Sequence, residues 1–227
     1  MELRNAVVLA VAQPGLAADW FCSNFGFQRA EPCADVVVSG NLAIQLEQEN
    51  AQTNRAPTGL AHVALNAYDI DAALEKCMAA GLAVDSDHGK PYFNPQIWGT
   101  GTRYFNIAAP FGVTVEVCQR LDKTVGCPER NIEGLEHIGV FVESAEKSLA
   151  YYTSIGFEQL CPLVVNEKAA ADIHCVMVGK GDMVLEIFSA ENSKAPFPMV
   201  WSRIDRIVVN GGEGAVSAPD GERIEFV

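Results

Sequence analysis

The sequence predicts an α+β protein assembled from tandem β-α-β-β-β modules, the fourth of them truncated. Three observations carry this prediction. First, residues alternate over short stretches: Val113, Val115 and Val117 point one way while Thr114, Glu116 and Cys118 point the other, the period of two expected of a strand with two unlike faces. Second, the alternation recurs with the same chemistry. His62 opens a strand and Glu116 closes one 54 residues later, and His137 and Glu186 repeat the arrangement 49 residues apart, so the chain contains an internal repeat. Third, the punctuation recurs. Trp20-Phe21 followed by Gly26-Phe27 matches Tyr151-Tyr152 followed by Gly156-Phe157, and Ala109-Pro110-Phe111-Gly112 matches Ala218-Pro219-Asp220-Gly221.

Module one spans 1–49. An apolar strand over 5–11 turns at Gln13-Pro14-Gly15 into a helix that ends near Gly26, and three short strands over 27–30, 35–39 and 42–47 follow. A polar linker over 50–58 leads to module two, 59–120. That module opens with a strand over 60–66 carrying His62, then a helix over 69–80 with Asp69 or Asp71 as N-cap and Gly81 as its stop. A long polar and aromatic segment, 85–101, interrupts the sheet pattern and has the composition of a rim or lid over a pocket. Strands over 103–108 and 112–118 complete the module. A second linker over 121–134 leads to module three, 134–190, with a strand over 136–142, a helix over 145–154 and strands over 158–164, 173–178 and 183–188. Module four, 201–227, is shortened. Its opening strand over 204–209 runs through Gly211-Gly212 almost directly into the closing strand with Glu225, leaving no room for a helix or middle strands.

Composition narrows the partners. The 227 residues carry 29 acids against 16 bases, a formal charge of −13, with no cluster of Lys or Arg, which excludes a nucleic-acid or anionic-membrane surface. No apolar run approaches the ~20 residues of a membrane span, and the first residues lack the order of a signal peptide. A small-molecule partner, a cytoplasmic location and a monomer or homodimer are expected. The seven cysteines form no CxxC pair and read as reduced packing residues.

The aromatic-plus-Gly-Phe helix ends and the Pro-x-Gly-x-x-x-Glu closing strands resemble the vicinal oxygen chelate superfamily, which includes glyoxalase I, extradiol dioxygenases and bleomycin-resistance proteins. The resemblance covers nearly the whole chain. It implies that modules pair into two cup-shaped mixed-sheet barrels, and that one divalent metal (nickel, zinc, cobalt or iron) sits on side chains of the opening and closing strands. The matching positions are Ala6 and Gln45, His62 and Glu116, His137 and Glu186, then Arg206 and Glu225. Ala6 has no donor atom and Arg206 is permanently cationic, so neither can ligate. Two imidazoles and two carboxylates, in contrast, balance a divalent charge and leave octahedral positions open. Pairing modules two with three gathers His62, Glu116, His137 and Glu186, whereas one with four gathers the degenerate set; the resemblance to fused glyoxalase I chains implies that crossed arrangement.

The implied chemistry is that of a glyoxalase-like lyase or isomerase moving a proton next to a metal-bound carbonyl or hydroxyl. Glu116 is then the base, in a catalytic pair with Glu186, which holds the metal together with His62 and His137. Two alternatives stand beside it: an extradiol-type dioxygenase, and a bleomycin-resistance-like binding protein using an aromatic cleft of Phe141, Phe188, Trp98 and Tyr104. Arg103, Lys90 and Arg120 are the only candidate cations for the carboxylates of glutathione.

Overall fold

A computed structural model describes residues 6–49, 58–167, 172–192 and 203–227. The chain begins with β1 (Ala6–Val11), α1 (Pro14–Phe25), β2 (Gln28–Ala30), β3 (Cys33–Ser39) and β4 (Leu42–Gln48). There follow β5 (Gly59–Ala67), α2 (Ile70–Ala79), β6 (Val84–Asp85), β7 (Tyr92–Asn94), a 3-10 turn (Ile97–Gly99), β8 (Thr102–Ala108) and β9 (Thr114–Arg120). The next segment holds β10 (Ile132–Phe141), α3 (Ala145–Ser154), β11 (Glu158–Gln159), β12 (Val164–Glu167), β13 (Asp172–Lys180) and β14 (Met183–Glu191). The last strands are β15 (Ile204–Val209), β16 (Gly214–Ser217) and β17 (Arg223–Phe226).

Local chemistry sets the helix ends. Pro14 occupies the first turn of α1, where its missing N–H costs nothing, and Gly26 closes the helix at φ 70 with its N–H on the Cys22 carbonyl. At α2 the Asp69 carboxylate accepts from the Asp71 and Ala72 N–H groups, both at 3.1 Å, satisfying donors that have no partner inside the helix.

The strands form two sheets. The seven-stranded one runs β16-β17-β15-β1-β4-β3-β2, so that strands from the two ends of the chain pair, β1 antiparallel to β15. The ten-stranded one follows β11-β13-β14-β10-β5-β9-β8-β6, with β12 on β13 and β7 on β8. Its centre is β10 antiparallel to β5, flanked by the parallel neighbours β14 and β9. One face of this sheet, with Val63, Leu65, Val115, Val117, Ile138, Val140, Leu185 and Ile187, is buried in the main apolar core beneath α2 and α3. Alternation delivers the other parity to the opposite face.

Several boundaries differ from the sequence reading. The strand expected over 158–164 is split into β11 and β12 around Pro162, which has no N–H for a ladder. The last residues of the linker over 121–134 belong to β10, and the segment over 85–101 supplies β7 and the 3-10 turn. The closing region keeps one extra strand, β16, as a hairpin with β17. The linker over 50–58, except its last residue, and residues 1–5 and 201–202 lie outside the described residues.

Candidate metal centre

Four consecutive strands of the ten-stranded sheet, β14-β10-β5-β9, carry Glu186, His137, His62 and Glu116 respectively. Register decides how they meet. Gly139 of β10 pairs with His62 on one side and with Glu186 on the other. Having no side chain, it leaves a gap over which the His62 imidazole leans; a Cβ at this position would overlap that ring. The two imidazoles then face each other Nε2 to Nε2 at 2.9 Å, and the same Glu186 Oε2 lies 3.4 Å from each of them. Atoms about 2.1 Å from a common ion stand ~3.0 Å apart across an octahedral edge and ~3.4 Å across a tetrahedral one. The donor set therefore fits a divalent cation.

Glu116 stands slightly apart. Its Oε1 is 3.7 Å from His137 Nε2 and accepts from the Cys118 thiol at 2.6 Å. His62, His137 and Glu186 form one group with donor atoms within 4.8 Å of each other, while Glu116, Cys118 and His137 form a second that shares His137. Cys118, which alternation puts on the Glu116 face, thus lies behind the carboxylate and orients it.

Glu136 escapes a reading based on alternation, which would send it to the face opposite His137. In the ladder with β5, Leu135 pairs with Leu65 but His137 with Ala64, an irregularity that places one extra residue on β10. Such a bulge re-aims side chains. Glu136 consequently lines the same cavity as His137, is buried, and its Oε2 accepts from His137 Nδ1. A carboxylate on Nδ1 selects the tautomer in which Nε2 keeps its lone pair for a ligand. The other oxygen of Glu136 has no hydrogen-bond partner and lies 4.0 Å from Arg120 Nη1. No sequence signal for this residue exists beyond its place next to a histidine.

Electrostatics separates the two carboxylates facing the imidazoles. Burial raises the pKa of Glu116, with His62 and His137 opposing only in part. Burial also acts on Glu186, but hydrogen bonds from His137 and His62 overcome it and hold that carboxyl well below the usual range. His137 is raised well above an ordinary histidine: burial opposes its charge, but Glu136 and Glu186 outweigh it. This cluster of acids thus demands positive charge, and the carboxylate inclined to carry a proton is Glu116.

These side chains open onto a cavity of about 610 Å³. Trp98, Tyr104 and Phe188 line it, whereas Phe141 packs behind Phe188 with ring centroids 5.3 Å apart. The segment over 85–101 reaches the cavity through Asp85, Asn94 and Trp98. Trp98 adopts φ 60, an uncommon conformation for a bulky residue, and is held by the Arg120 guanidinium 3.5 Å from its ring centroid. Ile97 anchors the turn in a small cluster with Cys161, Cys175 and Met177.

The seven-stranded sheet has a different content at the matched positions. Ala6 and Val8 join Val36, Ala43 and Val208 in an apolar cluster. Nearby, Arg206 bonds to Glu47 at 2.8 Å, Asp205 at 2.9 Å and Glu225 at 3.3 Å, and Gln45 donates to Glu47 at 2.9 Å. A guanidinium supplies the positive charge among these acids. All seven cysteines are free thiols, and no helix among the described residues is long and apolar enough to cross a membrane.

A family model described as the Glyoxalase/Bleomycin resistance protein/Dioxygenase superfamily matches residues 4–117, just over half of the chain. Among solved structures, glyoxalase I from Zea mays is similar over 98% of this chain and 90% of its own, at 16% identity and a TM-score of 0.65. A putative dioxygenase from Bacillus subtilis subsp. subtilis strain 168 is similar over 97% of this chain and 83% of its own, at 10% identity and a TM-score of 0.64. At these identities the likeness speaks for the fold alone. No curated protein sequence matches the chain significantly.

Proposed function

The chain belongs to the glyoxalase/bleomycin resistance/dioxygenase superfamily, and from that premise we propose that it is a metal-dependent lyase or isomerase that moves a proton next to a carbonyl or hydroxyl of a small molecule. One observation carries the proposal: His62, His137 and Glu186 converge at contacts of 2.9 and 3.4 Å, with a second carboxylate of opposite proton affinity beside them. A divalent ion, when bound by these residues, polarises adjacent substrate oxygens and acidifies the neighbouring C–H.

Everything else falls to the chain. His62, His137 and Glu186 hold the ion, and Glu136 fixes the His137 tautomer. The Glu116 carboxylate accepts the proton from one substrate carbon and returns it to the next, so the step is a proton transfer with no net redox change. Its raised pKa suits this, because a base poised nearer the working pH both accepts and releases effectively. The aromatic wall limits water around the reacting carbon.

The reading treats the chain as four modules, 1–49, 59–120, 134–190 and 201–227, with two and three sharing a metal-bearing barrel and one and four a degenerate one. The order of the strands supports it, since β5 pairs with β10 and β1 with β15. A second reading, an extradiol-type dioxygenase, draws on the tighter grouping of two histidines with one carboxylate, the facial set used by non-haem iron oxygenases.

The test is solvent deuterium exchange at the C–H of an α-hydroxyketone by protein loaded with nickel, zinc or cobalt. Glu116→Gln should lower the exchange rate by about 100-fold or more, the lower end for lost acid–base catalysis. Equal exchange by the variant removes Glu116 from the role. Oxygen consumption with iron alone favours the dioxygenase.

A further inference from the structure

Resting on the reading that a substrate meets the ion in this cavity, we propose that the substrate is an uncharged, ring-bearing hydroxy-carbonyl compound, and that carboxylate-bearing molecules, adducts of glutathione among them, are excluded. A volume of about 610 Å³ accommodates a small molecule with a ring. The charge of its walls is the deciding feature.

Four carboxylates line the cavity: Asp85, Glu116, Glu136 and Glu186. A divalent ion balances two of them, and His137 with Arg120 at 4.0 Å engages Glu136. Asp85, an exposed residue, accepts from the neutral Tyr92 hydroxyl at 2.9 Å and pairs with no cation among the described residues. An incoming carboxylate would lose its hydration and meet a like charge. The cations that could have received it are committed elsewhere. Arg103 makes a bidentate pair with Asp71, both contacts at 2.7 Å. Arg120 stacks on Trp98 and bonds to Asp122 at 2.8 Å. Lys90 is exposed and does not line the cavity, and among the described lining residues there is no Lys or Arg.

What the walls do offer suits a neutral molecule. Trp98, Tyr104 and Phe188 present ring surface, which rewards an aromatic or alicyclic body. Asn94, Asn106 and Asn166 each present both a donor and an acceptor, matched to the hydroxyl and carbonyl groups of a neutral molecule.

The experiment titrates the 227-residue chain calorimetrically with α-hydroxyacetophenone and with its para-carboxylate twin, once metal-loaded and once chelator-treated, with S-benzylglutathione as competitor. The neutral ketone should bind at least about tenfold more tightly than its twin in both states, equivalent to ~1.4 kcal/mol. The gap should narrow in Asp85→Asn and at high salt, and S-benzylglutathione should not displace the ketone. Three results overturn the proposal: a twin that binds equally or more tightly, a neutral ketone that binds in neither state, or displacement by S-benzylglutathione. Failure of the metal reading is separate, because it shows as absent metal uptake while the ranking of the twins stays readable.

Discussion

Replacing Gly139 by alanine tests whether the gap in β10 is what brings the ligands together. Gly139 is not among the residues with positive φ, so its backbone accepts an alanine and the effect is steric. The added Cβ would overlap the His62 ring, leaving that ring two courses. If the ring stays, overpacking costs about 1–3 kcal/mol, offset by the ~0.4–1 kcal/mol that a Gly to Ala change contributes through the unfolded chain. If it swings away, His62 Nε2 leaves its positions 2.9 Å from His137 Nε2 and 3.4 Å from Glu186 Oε2, and one of three close donors is lost. Loss of a ligand should exceed the 10–100-fold that outer partners of a metal site are worth, so metal affinity should fall by about 100-fold or more. Calorimetric metal titration, with thermal unfolding of the chelator-treated protein beside it, separates the two courses. Wild-type metal affinity together with wild-type stability would refute the reasoning, since the ring could not then occupy the space over residue 139.

Glu136→Gln preserves shape but removes the charge that selects the His137 tautomer; zinc affinity should drop by about tenfold, the low end for such partners, and an unchanged titration would deny Glu136 that role. Glu222 is buried, accepts from the Tyr152 hydroxyl at 3.1 Å, and has a pKa raised above 4.5 chiefly by burial. The folded chain therefore retains a proton that the unfolded one has released, and stability falls as pH rises through the window from 4.5 to the raised value. Denaturant midpoints of Glu222→Gln should lack this decline, and parallel pH profiles would contradict the assignment. Arg206→Met strips the cation from Glu47, Asp205 and Glu225. It should destabilise the protein by about 1–3 kcal/mol, below the cost of a fully buried pair because the side chain is partly exposed. Metal uptake should be untouched; an unshifted Tm would show the network to be worth nothing.

The α+β class was legible because alternation with period two survives in β5, β9, β10 and β14, and because Asp69, Gly26 and Pro14 mark helix ends by local chemistry. His62, Glu116, His137 and Glu186 could be singled out by their repeat positions, and the sheet brings His62, His137 and Glu186 together with Glu116 beside them. Glu136 could not, because a bulge is a property of pairing with another strand and leaves no trace in the period of its own. Gly139 shares the parity of His137, but its meaning depends on which residues lie across from it, a fact of register. The capture of Arg103 by Asp71 and of Arg120 by Trp98 is hidden for the same reason: each partner is brought in by the fold. Pro162 is visible in the sequence, and it breaks the strand expected over 158–164 because it has no N–H for a ladder.

The most direct measurement of the central claim, that His62, His137 and Glu186 with Glu116 form one divalent site, is a calorimetric titration of chelator-treated protein with nickel, zinc, cobalt and iron, repeated on His62→Ala and His137→Ala. The account predicts about one ion per chain for the wild type and loss of most of that uptake in either variant. Uptake of none of the four ions by the wild type, or full uptake by both variants, would contradict it.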